Sequence, residues 1–273
     1  MKHSFAPIFL LPSLALALLA VLPVFADDLV KAADGSGVFG YKGTHPLPGG
    51  KWVMHDPDRP LPPIVKVGPA GPPVPAPSDA VVLFDGKDLS AWEPAPTWKL
   101  EDGQIVAGEG KLVSKASFGD VQVHAEWFLP VKFEGPWYAH GNNGVALMNR
   151  FEIQTFDSYD YKIKLYADGH CAAIYGQTPP LVNACRPAGE WQTFDIFFTA
   201  PVFAEGKLLK PARLTLLHNG VLVHLDQEIY GTTGHLKVPH YNDTTATGPI
   251  SLPAHYCPVR FRNIWARPLT AAK

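Results

Sequence analysis

The sequence lacks an excess of charge of either sign. It has 23 lysine and arginine residues against 25 aspartate and glutamate residues, a formal net charge of −2. Proteins that bind nucleic acid or an anionic membrane surface usually carry a basic patch or a strong positive charge. The composition therefore argues against a nucleic-acid or anionic-lipid partner and favours a small, neutral ligand.

Helical periodicity is also missing after the first 26 residues. Short apolar runs of strand length recur instead, separated by Gly, Pro and Asn. These runs are residues 80–84, 121–128, 145–155, 193–198, 213–217, 221–225 and 259–266. His218-Asn219-Gly220-Val221 predicts a tight hairpin, because Asn-Gly accepts the positive φ angles of such a turn. We expect an all-β domain over residues 79–269, built as a sandwich of two antiparallel sheets.

The first 26 residues contain the longest apolar run of the chain. Lys2 precedes the run, and Ala26 followed by Asp27 and Asp28 suits cleavage of a secretory signal after Ala26. The run is short for a membrane span, although an uncleaved anchor is the alternative. No cysteine stands at the cleavage position to carry a lipid. We expect a periplasmic or secreted protein with no membrane span after signal cleavage.

Residues 27–78 are rich in proline and glycine, as in the segment 68–77. Such a segment cannot donate ladder hydrogen bonds regularly or bury a core of its own. It is therefore predicted to be an arm or linker whose removal leaves a folded domain. Trp52 and Met54 are the residues that could dock part of it on the main domain.

Cysteine is scarce, with three residues in the chain. Cys171 and Cys185 lie in one loop-rich segment, and in an exported protein a disulfide of that span would stabilise by about 3 kcal/mol. We predict this pair and leave Cys257 free. The alternative is that all three cysteines are reduced and buried.

A polar and aromatic segment from Tyr138 to Tyr159 is the strongest candidate for a functional site. Glu152 and Gln154 alternate with Phe151 and Ile153, so residues 145–155 are interpreted as one strand with a polar face. That face is either an ordinary solvated side of a sheet or a surface that binds a sugar or a metal. Nearby side chains favour a sugar, because amides hydrogen-bond sugar hydroxyls and aromatic rings pack on sugar C–H faces. They are Trp137, Tyr138, Asn142, Asn143, Tyr159 and Tyr161.

Two further segments set polar residues opposite apolar ones. In residues 121–128, His124 and Glu126 are two positions apart and therefore lie on the same face of a strand. Glu126 is expected to face away from the core. Arg260 and Arg262 lie on one face of a strand and Phe261 lies on the other. We interpret the two arginines as cross-strand ion partners rather than as oxyanion donors. Periodicity does not say whether these faces adjoin Glu152.

Five motifs lie in order along residues 79–268. They are Val82–Trp92, Gly141–Tyr159, Ala173–Gly176, Gly189–Ile196 and Pro258–Trp265. Together they resemble the 3-keto-disaccharide hydrolase family. The resemblance implies a concanavalin A-like jelly-roll sandwich that is exported and acts on glycosides oxidised to a ketone at C3.

A ketone at C3 acidifies the proton on C2. A base can then remove this proton and the C1 substituent can leave, so the expected reaction is hydrolysis, with elimination followed by hydration as one route. A divalent cation could stabilise the enolate, and no organic cofactor is expected. The alternative is a non-catalytic carbohydrate-binding sandwich, because fold does not dictate function. The oligomeric state is left open.

The resemblance also implies roles for particular residues. The catalytic candidates are Glu126, Glu152, Asp157 and His255, with Glu126 and Glu152 as candidate metal ligands and Glu126 facing Glu152 from a neighbouring strand. The substrate-binding candidates that the resemblance implies are Gln154 and Arg262. The polar and aromatic segment adds His140, Asn142, Asn143 and Tyr159 as further substrate-binding candidates. This chain departs from many members at His140, where they have arginine, and at Ala254, where they have an acid. The second departure weakens any role of His255 that needs a carboxylate partner.

Overall fold

The computed structural model describes residues 29–269, so the predicted signal segment lies outside the described residues. Sixteen strands and three single-turn 3-10 helices occupy this range. The strands are β1 (Val30–Lys31), β2 (Phe39–Gly40), β3 (Val81–Phe84), β4 (Lys99–Glu101), β5 (Gln104–Val106), β6 (Gly110–Phe118), β7 (Val121–Phe128), β8 (Asn143–Leu147), β9 (Phe151–Thr155), β10 (Trp191–Thr199), β11 (Val202–Ala204), β12 (Lys207–Lys210), β13 (Arg213–His218), β14 (Val221–Glu228), β15 (Gly248–Ala254) and β16 (Arg260–Pro268). The helical turns are Trp137–Ala139, Tyr159–Tyr161 and Ala167–Gly169. No helix within residues 29–269 has the length and apolar character needed to cross a bilayer.

Two antiparallel sheets form the body of the molecule. The larger has the order β14-β13-β10-β7-β16-β5-β4, with β3 also pairing with β16, and the smaller has the order β6-β15-β8-β9. Phe198 of the larger sheet contacts Phe151 of the smaller, with ring centroids 5.9 Å apart. Alternate residues of β7, among them Val123 and Trp127, are fully buried in the same core. The predicted all-β sandwich is confirmed.

The hairpin predicted at residues 218–221 is present between β13 and β14. Its central residues, Asn219 and Gly220, have φ angles of 54° and 79°. These positive values fit a tight turn that follows the right-handed twist of the strands.

Residues 145–155 are not the single strand that the alternation predicted. Met148 and Asn149 have φ angles of 52° and 53°, and the chain reverses there. As a result Val145 pairs with Ile153, and Gly144 pairs with Gln154, in the antiparallel hairpin β8-β9. The prediction failed because the apolar run continues through Met148, and Asn149 is not followed by the glycine that makes a strong hairpin signal. The reversal places the Gly141–Gly144 turn beside Gln154.

The N-terminal arm packs against the sandwich and contributes to the core. Met54 and His55 are 1% and 0% exposed. Farther along, the Tyr161 hydroxyl donates to the Pro62 carbonyl at 2.6 Å, and Arg186 donates from Nε to the Gly68 carbonyl at 2.8 Å. The expectation that Met54 docks part of this segment on the main domain is therefore confirmed. Its prolines prevent regular pairing, but side chains and single carbonyls still dock it.

Candidate active site

A cavity of about 570 Å³ lies over the outer face of the smaller sheet. This volume is typical of a small-molecule site. Its polar side chains include Lys111, Asn142, Glu152, Gln154, His235 and His255. Tyrosine rings form much of the remaining wall, so the cavity offers both hydrogen-bonding groups and flat apolar surfaces.

The sheet itself builds the floor of this cavity from a row of residues on neighbouring strands. Lys111 of β6 pairs with Pro253 of β15, and Gly144 of β8 pairs with Gln154 of β9. Pro253 has a short side chain and Gly144 has none, so the cavity floor forms a depression at these two central strands. The longer polar groups of Lys111 and Gln154 stand on the two sides of this depression.

The Glu152 carboxylate lies in that depression, over Gly144. A Cβ atom at Gly144 would come within 2.6 Å of Oε1 of Glu152, so any other residue there would displace the carboxylate. Glu152 is partly accessible from the cavity, but protein surrounds it on the other sides. This burial raises the pKa of Glu152 to about 7, against the opposing effect of Lys111. At neutral pH the group therefore exchanges readily between acid and base.

The charge of Lys111 acts on both Glu152 and His255. Lys111 donates from Nζ to Oδ1 of Asn149 at 3.1 Å, which fixes the ammonium group beside the cavity. Burial and the charge of Lys111 both lower the pKa of His255. His255 is therefore neutral at pH 7 and can accept a proton, while Lys111 supplies a positive charge.

Asn142 and Gln154 form a linked pair of amides. Gln154 donates from Nε2 to Oδ1 of Asn142 at 2.9 Å. Neither Nδ2 of Asn142 nor Oε1 of Gln154 has a hydrogen-bond partner within residues 29–269. The pair thus presents one donor and one acceptor, the combination that a sugar hydroxyl pair requires.

A chain of polar groups on aromatic rings forms the opposite wall. The hydroxyls of Tyr166 and Tyr175 are 3.4 Å apart, and the Tyr175 hydroxyl is 3.2 Å from Nδ1 of His235. Behind them lies His55 of the arm, whose ring is 4.1 Å from the Tyr166 ring and 5.2 Å from the His235 ring, centroid to centroid. Asp168 accepts a hydrogen bond from the backbone N–H of His55 at 3.0 Å, and its Oδ1 is 3.4 Å from Nδ1. The arm therefore supports the wall of the cavity.

Sequence reasoning missed this support. His55 precedes an Asp-Pro-Asp turn, which gave no reason to pair it with Asp168, a residue 113 positions away. The available signal was the apolar Trp52-Val53-Met54 run, which marked a docking segment but not its partner.

Four of the predicted site residues line the cavity: Glu152, Gln154, Asn142 and His255. The others lie elsewhere. Asp157 pairs with His140, with Oδ2 3.0 Å from Nδ1, and this contact raises the pKa of His140. Asp157 also accepts a hydrogen bond from the backbone N–H of Tyr159 at 3.3 Å. Asn143 points to the other side of β8 and donates to the Cys257 carbonyl at 3.0 Å. These residues hold the turn that carries Asn142.

Glu126 and Arg262 do not face Glu152, contrary to the prediction. They belong to β7 and β16 of the larger sheet, so their polar face is on the far side of the sandwich. Arg262 donates from Nε to Glu126 at 2.6 Å, which confirms its interpretation as a cross-strand ion partner. Parity assigned the correct face to Glu126 but could not assign the sheet. Glu126 and Glu152 therefore cannot hold one metal ion between them.

The environment of Glu126 is that of a structural ion pair. Burial opposes its ionisation, but hydrogen bonds from His124, Asn263 and Arg262 outweigh burial and lower the pKa of Glu126 to about 2. Oε1 also accepts from the backbone N–H of Val74 at 3.2 Å, which ties the arm to this face. A carboxylate held ionised in this way is a poor acid or base at neutral pH.

The predicted disulfide is absent from the structure. Cys171, Cys185 and Cys257 are all free and buried, as the alternative proposed. Spacing placed Cys171 and Cys185 together correctly. The sulfur atoms, however, share a buried cluster with His218 and are not bonded to each other.

A family match and a similar solved structure identify the class of protein to which this chain belongs. The sequence over residues 79–267 matches the model of a family described as the 3-keto-alpha-glucoside-1,2-lyase-like domain. A proposed glycosyl hydrolase from Parabacteroides distasonis has 37% sequence identity to this chain, covering 80% of this chain and 97% of its own, with a TM-score of 0.67. These relationships make the chain a carbohydrate-active enzyme. It belongs to the 3-keto-alpha-glucoside-1,2-lyase-like family.

Two other structures share the fold. Both are proposed glycosyl hydrolases from the same organism, with identities of 19% and 20% and TM-scores of 0.52 and 0.53. Each alignment covers 70% of this chain, and 94% and 99% of the respective relative. No curated protein matches the sequence.

Proposed function

We propose that the chain, after export, cleaves glycosides whose sugar carries a ketone at C3, with Glu152 as the base at C2. The observation that carries this proposal is the position of Glu152 at the bottom of a sugar-sized cavity with a pKa of about 7. A general base is most effective when its pKa is near the working pH. The C3 ketone supplies the acidity that a carboxylate needs to remove a carbon-bound proton.

The first stage is an elimination. Glu152 takes the C2 proton, the C1–O bond breaks, and a double bond forms between C1 and C2. The proton now on Glu152 passes to the departing oxygen, so the carboxylate is regenerated. Lys111 offers a positive charge to the enolate oxygen as it develops, which lowers the barrier in a partly desolvated site.

The second stage is hydration. Water adds across the C1–C2 double bond, and its oxygen joins C1 while a proton joins C2. Neutral His255 is suited to take this proton from the attacking water and to pass it on to C2, which leaves the histidine neutral again. Asn142 and Gln154 hold sugar hydroxyls through both stages, and the tyrosine rings pack on the C–H faces.

Deuterium labelling tests the proposal. A 3-keto-disaccharide incubated with the protein in deuterium oxide should release a 3-keto sugar that carries deuterium at C2. The free 3-keto sugar incubated alone under the same conditions corrects for spontaneous exchange. Release without deuterium at C2 would establish direct attack by water instead of elimination. Saturable binding without any release would favour the carbohydrate-binding alternative over an enzyme.

The pH dependence should follow the ionisation of Glu152. Because the base must be ionised, kcat/KM should rise about tenfold per pH unit below the pKa of Glu152 and level off above pH 7. The sign is fixed by the raised pKa of a carboxyl group, which keeps the inactive protonated form populated up to neutrality. A pH–rate profile with no inflection between the ordinary carboxyl range and pH 7 would contradict this assignment.

A further inference from the structure

A cluster of potential metal ligands lies in the core, away from the cavity. Cys171 and Cys185 come from the loop between β9 and β10, and His218 is the last residue of β13. Their ligand atoms all lie within 4.8 Å of one another, and all three residues are buried. Among residues 29–269, this is the one group of three or more His, Cys, Asp and Glu side chains whose ligand atoms lie this close together.

The spacing is close to that of a tetrahedral zinc site. Zinc bonds of 2.3 Å to sulfur and about 2.0 Å to nitrogen place neighbouring ligands about 3.5 to 3.8 Å apart. Nε2 of His218 is 3.9 Å from Sγ of Cys171. Small side-chain rotations would therefore bring the ligands to bonding distance.

A fourth donor is present at the same place. Sγ of Cys185 donates to the Phe156 carbonyl oxygen at 3.8 Å. This oxygen is the candidate for the fourth ligand of a four-coordinate shell. Structural zinc sites are almost always closed and four-coordinate, whereas catalytic sites keep one position for water or substrate.

The imidazole of His218 is held in place by the core. Its ring stacks on Trp127 at 6.0 Å and meets Phe194 edge-on at 5.1 Å, measured between centroids. A ligand already fixed by packing loses little freedom when it binds.

Charge balance favours a divalent ion. Cys171 and Cys185 are both buried, and an isolated thiolate is unfavourable in an apolar core. When Zn²⁺ binds, each thiol releases its proton to solvent, and two thiolates with one Zn²⁺ form a neutral unit. A neutral unit suits an apolar core, whereas a monovalent ion with two thiolates would leave a net charge.

We propose that Cys171, Cys185 and His218, with the Phe156 carbonyl oxygen, form a structural zinc site that joins the β9–β10 loop to the larger sheet. The same loop carries Asp168, Tyr166 and Tyr175, which build one wall of the cavity. Zinc would therefore stabilise that wall without contacting the substrate. This inference does not depend on the proposed reaction.

Metal content and thiol state of the unmutated full-length chain test the proposal directly. The chain is purified without chelators or metal-affinity resin and dialysed against buffer containing Zn²⁺, then against metal-free buffer. We expect about one zinc ion per chain by elemental analysis, and X-ray absorption showing sulfur and nitrogen neighbours at the bond lengths of a protein zinc site. Removal of zinc with a strong chelator should lower the melting temperature, and added Zn²⁺ should restore it.

Matched cysteine variants localise the metal. Cys171→Ser and Cys185→Ser should lower zinc content about tenfold or more, whereas Cys257→Ser, which changes an equally buried cysteine outside the cluster, should retain it. A linked peptide pair joining Cys171 and Cys185 in a non-reduced digest of the unmutated chain would overturn the proposal in favour of a disulfide. Free thiols without zinc after the dialysis would overturn it as well. The disulfide and the zinc content are both measured on the unmutated protein. The test therefore remains decisive even if a variant fails to fold.

Discussion

Replacing Glu152 with glutamine should lower turnover of a 3-keto-glycoside by about 100-fold or more. The amide keeps the size and hydrogen-bonding capacity of the side chain but cannot accept the C2 proton. Stability should not fall, because the exchange removes a carboxyl group whose ionisation burial already disfavours. The measurement is kcat with saturating substrate, alongside a thermal melt. Binding of substrate by the inactive variant should persist and would show that the cavity is intact.

Glu126→Gln is the matched control for that experiment. It makes the same chemical change at a carboxylate that faces Arg262 on the far side of the sandwich. We expect this variant to keep its turnover but to melt at a lower temperature, because it leaves Arg262 and His124 without their ionised partner. If Glu152→Gln remains fully active, or if Glu126→Gln alone abolishes turnover, the site is not on β9.

Removing the arm should prevent formation of a native, active domain. A chain that begins at residue 79 loses His55, so the buried Asp168 carboxylate loses both the backbone N–H and the imidazole that it faces. It also exposes the Tyr166 ring and leaves Glu126 without the Val74 N–H. Leaving a buried charge without its partners costs several kcal/mol, a large part of the stability of an ordinary domain. We expect lost near-ultraviolet circular dichroism, binding of a hydrophobic dye and no turnover.

A point variant tests the contribution of His55 to stability without removing the whole arm. His55→Phe in the full-length chain keeps a ring against Tyr166 but offers no hydrogen bond from the side chain to Asp168. It should lower the free energy of unfolding by about 2 kcal/mol. His45→Phe, at an exposed position of the same arm, should change it by less than about 0.5 kcal/mol. A shortened chain that melts like the intact protein and turns over substrate would instead show that the arm is dispensable, as its composition predicted.

The sequence alone determined the features that depend on neighbouring residues. Alternation assigned Glu126 to the outer face of β7 and placed Glu152 and Gln154 on one face of β9, because side-chain direction in a strand repeats every two residues. Asn219-Gly220 determined its hairpin, because the φ angles of a tight turn are set by the residues in it. The order of five motifs identified the family, and with it the strand that carries Glu152.

One central strand was not predicted because it contains prolines. β15 lies inside the smaller sheet and contains Pro249 and Pro253, which a sequence pattern would exclude from an interior strand. The pairing of β15 with β6 shifts register between Pro249 and Ser251, whereas Pro253 pairs with Lys111 in regular register. The cavity floor depends on this strand, so its exact form was not predictable from the sequence.

Only the tertiary structure decided which polar groups meet. It separated Glu126 from Glu152 by placing β7 and β9 in different sheets, and it brought Lys111 to the cavity through β6 and β15. It also joined His55 to Asp168 across 113 positions and gathered Cys171 and Cys185 around His218. The physical reason is that local patterns fix the direction in which a side chain points along its own strand. Which strands pair, and what lies across the core or cavity from them, is set by burial of the whole chain at once.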